Sequence, residues 1–597
     1  MTIKEHLSIK AERTKLNIKF KCVIICLMFG SIFISYSYFL GYNGNFNYSL
    51  FWIGILISSI SSFIAIINIH NQTQKLVILF CFGLVFYLTV LFWSPSYFRF
   101  QDEIYHVNSV ELMLKSENLD INPMFEISKY YPGLQFLTIF FMKFSGLSLF
   151  VAAKLMVGII HSMMLIFLYL LFKVVSSQKI AILGALIYTA NPSYIFFDAI
   201  FSYETLGITL VIILIYTLYK RCMSNNKINL SIISLIILGA LIITHPFSSY
   251  MLSVFLLIFV FLIYYTYHAK IVDIKKIRNI LTFVIITFTL IFSWTIYQAI
   301  PIIRYFEQIT SKITLNILSL VIDNIQRKPF WQSQLPLYEI FIDTYLYIPI
   351  LFLLCIYGIY IINKDLTNND IFKNAIYISL ILYGLMLFLS LPLIFTKAAG
   401  LIYRTWAFSF IGLSFVMAIS IDRLINNHKY LVNVMVILII MGGVSIGSSY
   451  VLRNPNYVLA STPSSITLDV IASSNWFESK FEKNYGILGD ETIKTVFAGY
   501  NNQFVSTNSV IFVNSTTDIE IMKYLKHNIY TKFVIVDKRI TENLSEYKYY
   551  FNKEELGNNG HKYGNTETFP FEYIEKFNNE QFYYRIYNNK NINIYFI

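Results

Sequence analysis

Eight consecutive residues, Arg99-Phe100-Gln101-Asp102-Glu103-Ile104-Tyr105-His106, hold the densest set of proton-handling groups in the chain. The adjacent acids suit general-base chemistry. One carboxylate takes a proton from an attacking hydroxyl or amine, and the other orients the base or the acceptor. In a helix, the i,i+4 spacing of Asp102 and His106 puts both on one face. Asp and Glu are also favoured in the first turn of any helix, so the same pair reads equally as the start of an amphipathic surface helix running to Leu119.

Further polar groups stand at intervals along the chain. Asp198 and Glu204 flank the start of an apolar stretch, as a second acidic station or as helix-start residues. His245-Pro246 offers an imidazole or simply a turn. Arg404, with Lys397 nearby, offers a planar fork that binds phosphate oxygens in pairs, or a side chain that snorkels to lipid headgroups. Lys154 and His161 interrupt an otherwise apolar segment. Tyr130-Tyr131-Pro132-Gly133 fits the start of a short helix. No zinc spacing, Walker loop, Rossmann fingerprint or internal repeat occurs.

The elements that must carry these groups follow from composition. Of 597 residues, 56% are hydrophobic, 17% aromatic and only 13% charged, where a soluble chain carries about 25% charged residues. Mean hydropathy is +0.58. Too little charge remains to solvate several globules. Disorder, which needs the opposite balance, is excluded, and five Cys are too few for a disulfide scaffold. Lipid must be the solvent. The net charge of +12 is then an orientation signal of a membrane protein rather than the mark of a nucleic-acid partner.

Crossing the hydrocarbon core takes about 20 apolar residues. Thirteen stretches qualify, at about 22–40, 50–69, 76–93, 149–172, 180–194, 204–219, 228–244, 248–267, 280–300, 345–362, 375–393, 405–421 and 431–450. The basic lead from Lys4 to Lys21, with no cleavage site after the apolar run, places the N-terminus in the cytoplasm. Alternating loops then carry about twice as many Lys and Arg inside as outside, as the positive-inside rule requires. Gly133–Phe144 is too short to span and suits an interfacial or re-entrant helix. Loop 94–148 is therefore external throughout, as are loop 301–343 and the C-terminus. Three regions are expected: a basic N-terminus with two additional spans (1–75), a transmembrane catalytic domain (76–450), and a soluble extracytoplasmic α/β domain (451–597). In the last, a helix capped by Ser464 or Ser465 would run to Lys480. Strands are expected at Tyr485–Leu488, Ser509–Val513 and Phe533–Val536, with a hairpin joining Phe582–Tyr587 to Ile592–Ile597.

Bare spans and polar groups gathered at one side argue for a site at the outer surface rather than a conduit through the bilayer. With these elements in order, the chain resembles the GT-C superfamily of polyprenyl-phosphate-dependent glycosyltransferases, such as protein O-mannosyltransferases and the aminoarabinose transferase of lipid A. Asp102-Glu103 stands where those families carry an acidic pair in the first large external loop. Tyr131-Pro132-Gly133-Leu134 stands near their Pro-containing external helix, and Ala152-Ala153-Lys154-Leu155 near a small-residue-basic span start. Glu204 in Ser202-Tyr203-Glu204-Thr205-Leu206 matches a second external acid, and Arg404 a late external Arg. The Trp-Trp-Asp signature of oligosaccharyltransferases is missing, which argues against asparagine-linked en bloc transfer and weakens the case for an obligatory divalent metal.

The apolar stretches and the resemblance together lead to the expectation of a multi-pass α-helical fold of about thirteen transmembrane helices with an outer α/β domain. It implies a polyprenyl- or dolichyl-phosphate sugar as co-substrate, with no metal assigned. The acceptor would be a protein, glycan or lipid, and no nucleic acid is involved. Catalysis would fall to Asp102 and Glu103, with His106, Glu204, His245, Arg304 and Arg404 binding substrate. The competing classes are a lipid-linked oligosaccharide flippase or permease, a polysaccharide polymerase, and a sensor whose outer domain binds a partner.

Overall fold

The computed structural model describes residues 3–42, 45–116, 120–223, 227–268, 274–304, 337–365, 371–390, 399–447, 466–481, 485–507, 531–542, 568–579 and 581–597, together with residues 307, 311, 512, 550 and 551. The expected strand at Ser509–Val513 lies outside the described residues except for Phe512. Ser464, Ser465, Lys397 and most of loop 301–343 also lie outside them.

Two compact units divide the chain. One comprises Met1–Pro95 with Tyr130–Arg453, the other Ser96–Lys129 with Asn454–Ile597. The first is helical: α1 (Ile3–Tyr42), α2 (Tyr48–Asn68), α3 (Gln72–Trp93), α5 (Gly133–Ser145), α6 (Leu149–Val175), α7 (Gln178–Tyr188), α8 (Pro192–Ile195), α9 (Tyr203–Met223), α10 (Lys227–Ile242), α11 (Pro246–His268) and α12 (Ile274–Tyr297). It continues with α13 (Leu337–Phe341), a π-helical turn (Ile342–Tyr347), α14 (Ile348–Asp365), α15 (Ile371–Ser390), α16 (Ala399–Leu424) and α17 (Lys429–Gly447). Helix α4 (Gln101–Ser116), which follows α3 in the chain, belongs to the second unit.

Among the described residues ten helices are long and apolar enough to cross a bilayer, or eleven if the bent pair Gln178–Tyr188 and Pro192–Ala199 is one span. The expected thirteen is therefore not reached on this measure. Two of the expected spans are shorter apolar helices, Ile228–Ile242 and Asn374–Ser390. At 1.5 Å per residue the 16 residues of α10 fall short of the ~30 Å hydrocarbon core, whereas the 20 residues of α15 reach it. The segment at 180–194 bends by 66°, because Pro192 cannot continue the α7 hydrogen-bond ladder and instead opens a new helix capped by Asn191. Large apolar side chains such as Phe140, Ile236, Phe261, Ile285, Phe292 and Leu353 remain exposed, as helices solvated by lipid tails require.

Small residues let the helices of this unit approach closely. A Cβ at Gly443 would lie 2.0 Å from the Ala190 carbonyl oxygen, and one at Gly447 2.3 Å from that of Pro192. These two glycines, one turn apart on α17, seat the bent turn 189–192 directly on the helix backbone.

The second unit holds a five-stranded sheet in the order β2-β1-β3-β5-β4: β1 (Gly486–Leu488), β2 (Val505–Ser506), β3 (Thr531–Asp537), β4 (Tyr584–Asn588) and β5 (Ile592–Phe596). β1 pairs in parallel with β2 and β3, and β5 runs antiparallel to both β3 and β4. The α/β reading holds, including the terminal hairpin. The helix ending at Lys480 is α18 (Leu468–Lys480), with Thr467 at its N-cap. The Thr467 hydroxyl makes no cap hydrogen bond and accepts one from Arg539 Nη1 at 2.6 Å. Helix α19 (Glu491–Asn501), which follows β1, had no counterpart in the sequence reading. Asp490 caps it, accepting from the Ile493 N–H at 2.8 Å.

Candidate functional site

The N-terminus of α9 gathers three of the expected residues. Glu204 stands in the first turn of α9, where the helix dipole favours a carboxylate, and is almost completely buried. Arg404, near the start of α16, places its Nε 3.5 Å from Glu204 Oε2 with about a quarter of its side chain exposed (24%). His245 lies across from the same turn. Its ring centroid is 4.4 Å from that of Tyr203, and a Cβ at Gly207, one turn along from Glu204, would lie 2.9 Å from His245 Cβ. The His245 Nδ1 meets Ser248 Oγ at 2.6 Å, which ties the imidazole into the first turn of α11.

Several contacts hold these helices in place. The Tyr188 hydroxyl donates to the Ala407 carbonyl at 2.8 Å, fixing α16 to α7. Phe247 packs edge-on against Phe408 at 5.9 Å, fixing the start of α11 to the same helix. The Thr205 hydroxyl donates to the Ile200 carbonyl at 2.8 Å and closes the turn into α9.

Asp198 and His161 extend this region inward. Both are fully buried, and His161 Nδ1 lies 3.0 Å from the Asp198 backbone carbonyl while its ring stacks on Tyr194 at 3.9 Å. Neither Asp198 carboxylate oxygen has a hydrogen-bond partner among the described residues. Lys154 is also buried, its ammonium 5.8 Å from the Phe150 ring centroid. Arg304 lies exposed beyond α12, and no hydrogen bond or ion pair joins it to Glu204 or Arg404 among the described residues.

Asp102, Glu103 and His106 lie on α4 in the second unit. They divide by burial. Asp102 is half-buried, whereas Glu103 and His106 are buried. Glu103 Oε2 accepts from the Arg99 N–H at 3.3 Å, so this carboxylate closes the start of its own helix. Tyr105, between them, bonds Gln101 and stacks on Phe125 at 5.7 Å, and burial pushes its hydroxyl up to about 12.

One buried cluster lies outside the residues that stand out in sequence. Glu339 and Asp343, in the first turns of the span Leu337–Lys364, both meet Ser445 Oγ, at 3.3 and 3.0 Å. The Trp52 indole N–H donates to Glu339 at 3.2 Å. Both acids had been assigned to loop 301–343, and the signal available was their i,i+4 spacing at the head of an apolar run. Among the described residues no group of three or more His, Cys, Asp or Glu side chains gathers as a metal site.

No protein-family model matches the chain, and no curated protein matches it in sequence. Solved structures do match. The oligosaccharyltransferase of Archaeoglobus fulgidus in its apo form superimposes with a TM-score of 0.50 at 11% identity, over 79% of this chain and 70% of that one. The same enzyme in complex with an inhibitory peptide and a dolichol-phosphate superimposes with a TM-score of 0.50 at 10% identity over the same shares. ArnT of Cupriavidus metallidurans bound to undecaprenyl phosphate aligns over 88% of this chain and 98% of its own, at 10% identity and a TM-score of 0.37. The chain is a multi-pass membrane protein that shares its fold with the A. fulgidus oligosaccharyltransferase.

Proposed function

We propose that this protein is an inverting glycosyltransferase that moves a sugar from a polyprenyl- or dolichyl-phosphate carrier to an acceptor at the external membrane face. The pairing of Arg404 with Glu204, in a chain of this fold, carries the reading. A guanidinium held by a buried carboxylate, with part of its side chain exposed, is suited to meet charge that develops on a leaving phosphate. The A. fulgidus complex with dolichol-phosphate supports the donor class.

In this reading Asp102 takes the proton from the acceptor hydroxyl or amine. The acceptor atom forms its bond to the anomeric carbon as the bond to the phosphate oxygen breaks, and the bonding pair leaves with the phosphate toward Arg404. Glu204 orients that guanidinium. One displacement inverts the anomeric centre. In this reading the N-terminus is cytoplasmic and the 451–597 region extracytoplasmic.

The test is incubation of the purified full-length protein with radiolabelled polyprenyl-phosphate sugars and membrane extract. Transfer to an extractable acceptor is expected. Binding of an intact lipid-linked glycan with no transfer from any donor would replace this reading with a flippase.

A further inference from the structure

Helix α4 is built onto the C-terminal region. Asn108, buried in the middle of α4, donates from Nδ2 to the Gly499 carbonyl at 3.2 Å and to Asn502 Oδ1 at 2.7 Å, and its Oδ1 accepts from the Met124 N–H at 3.1 Å. One amide thereby ties together α4, the segment that follows it and the C-terminal end of α19. Asn502 holds a left-handed conformation, φ 52°, which ends α19 and turns its side chain to this bond.

One turn toward the acids, Ile104 is fully buried against Gly499. A Cβ at position 499 would lie 2.2 Å from Ile104 Cγ2, so only glycine lets the helices close to this distance. The entry to α4 is held as well. Arg99 Nε donates to the Ile466 carbonyl at 2.7 Å, the Ile466 N–H donates to the Arg99 carbonyl at 3.1 Å, and the Tyr500 hydroxyl donates to the Phe98 carbonyl at 2.6 Å.

We infer that residues 466–502 are the mould that orients the helix bearing Asp102, with Asn108 and Gly499 as positioning residues for the reaction. The C-terminal region is then half of the machinery that presents the base, not an appendage. The inference rests on the proposed role of Asp102. Among the described residues, the hydrogen bonds of Asn108, Arg99 and the Tyr500 hydroxyl and the packing of Ile104 on Gly499 tie α4 to loop 96–129 and to this C-terminal stretch. A base displaced by about 1 Å loses up to a hundredfold in rate.

The experiment compares Gly499→Ala, Ile104→Ala, the double variant, Asn108→Ala and Asp102→Asn in the full-length protein. Two quantities are measured: kcat and donor KM for sugar transfer, and amide hydrogen exchange of peptides spanning 101–116. Gly499→Ala is expected to lower kcat about tenfold or more, with donor KM within about twofold, and to accelerate exchange in α4 alone. Adding Ile104→Ala removes the clashing Cγ2 and restores both kcat and protection. If Gly499→Ala does not fold, Asn108→Ala, which adds no volume, carries the same expectation. Faster exchange in α4 at unchanged kcat, with Asp102→Asn inactive, overturns the positioning role and leaves the base in place. Loss of kcat in Gly499→Ala with Asp102→Asn fully active supports the mould and removes Asp102 as base.

Discussion

Arg404 Nε lies 3.5 Å from Glu204 Oε2, and one partner is nearly buried while the other reaches the surface. Removing one partner of such a pair costs more than breaking an exposed ion pair and less than breaking a fully buried one, about 2 kcal/mol between the two limits. Glu204→Gln should reduce sugar transfer and lower thermal stability. Arg404→Lys should keep the charge but lose the fork, reducing kcat while leaving stability closer to the parent. A double-mutant cycle in kcat and Tm measures the coupling, and strict additivity would show that the two residues act independently.

The two neighbouring acids of α4 should respond differently. Asp102→Asn is expected to abolish transfer without loss of fold, because its side chain is half-buried at a helix start. Glu103→Gln is expected to cost about 1–2 kcal/mol of stability, since Glu103 is buried and accepts the Arg99 N–H. Transfer at normal expression, measured alongside Tm, separates the two. An active Asp102→Asn enzyme would end the base assignment.

Asp490 makes stability depend on pH. Burial and the neighbouring charge of Asp537 push its carboxyl up from its ordinary 3.8 to about 8, against the opposing bond from the Ile493 N–H. The folded state therefore holds this proton more tightly than the unfolded state. Its contribution is complete below about pH 4 and is lost as pH rises toward 8. Asp490→Asn keeps the cap oxygen and removes the titration. The variant's melting temperature should accordingly fall less than the parent's between pH 5 and pH 8, on the order of a few degrees. Parallel curves for parent and variant would count against this account.

The glycine seat of α17 should tolerate no side chain. Gly443→Ala places a methyl 2.0 Å from the Ala190 carbonyl oxygen, and relief requires the backbone to shift. A cost of about 1–3 kcal/mol is expected from overpacking. Because the displaced turn leads into Asp198 and the start of α9, transfer should fall as well. Thermal unfolding of the detergent-solubilised protein and its transfer rate check the two effects, and an unperturbed Tm would mean that the turn yields freely.

Much of this architecture was written locally. Lipid as solvent follows from 13% charged residues, and the helices sit where apolar runs of sufficient length occur, because run length and rise per residue need no tertiary information. Strands β1, β3, β4 and β5 were legible for the same reason, as short apolar or alternating segments between turn residues. Asp102-Glu103, Glu204 and Arg404 stood out because charge is scarce in this chain. Span count was less legible, since a Pro192 bend and the short α10 are matters of local geometry that hydropathy averages away.

Only the tertiary structure decided which distant residues meet. Arg404 finds Glu204, Asn108 finds Asn502, and Ser445 collects Glu339 and Asp343. It also decided that loop 96–129 is compact with the C-terminal region. A single sequence reports the face and length of each element, whereas these pairings depend on how helices pack at glycine seats and capped turns, a choice set by the fit of whole surfaces rather than by any local pattern.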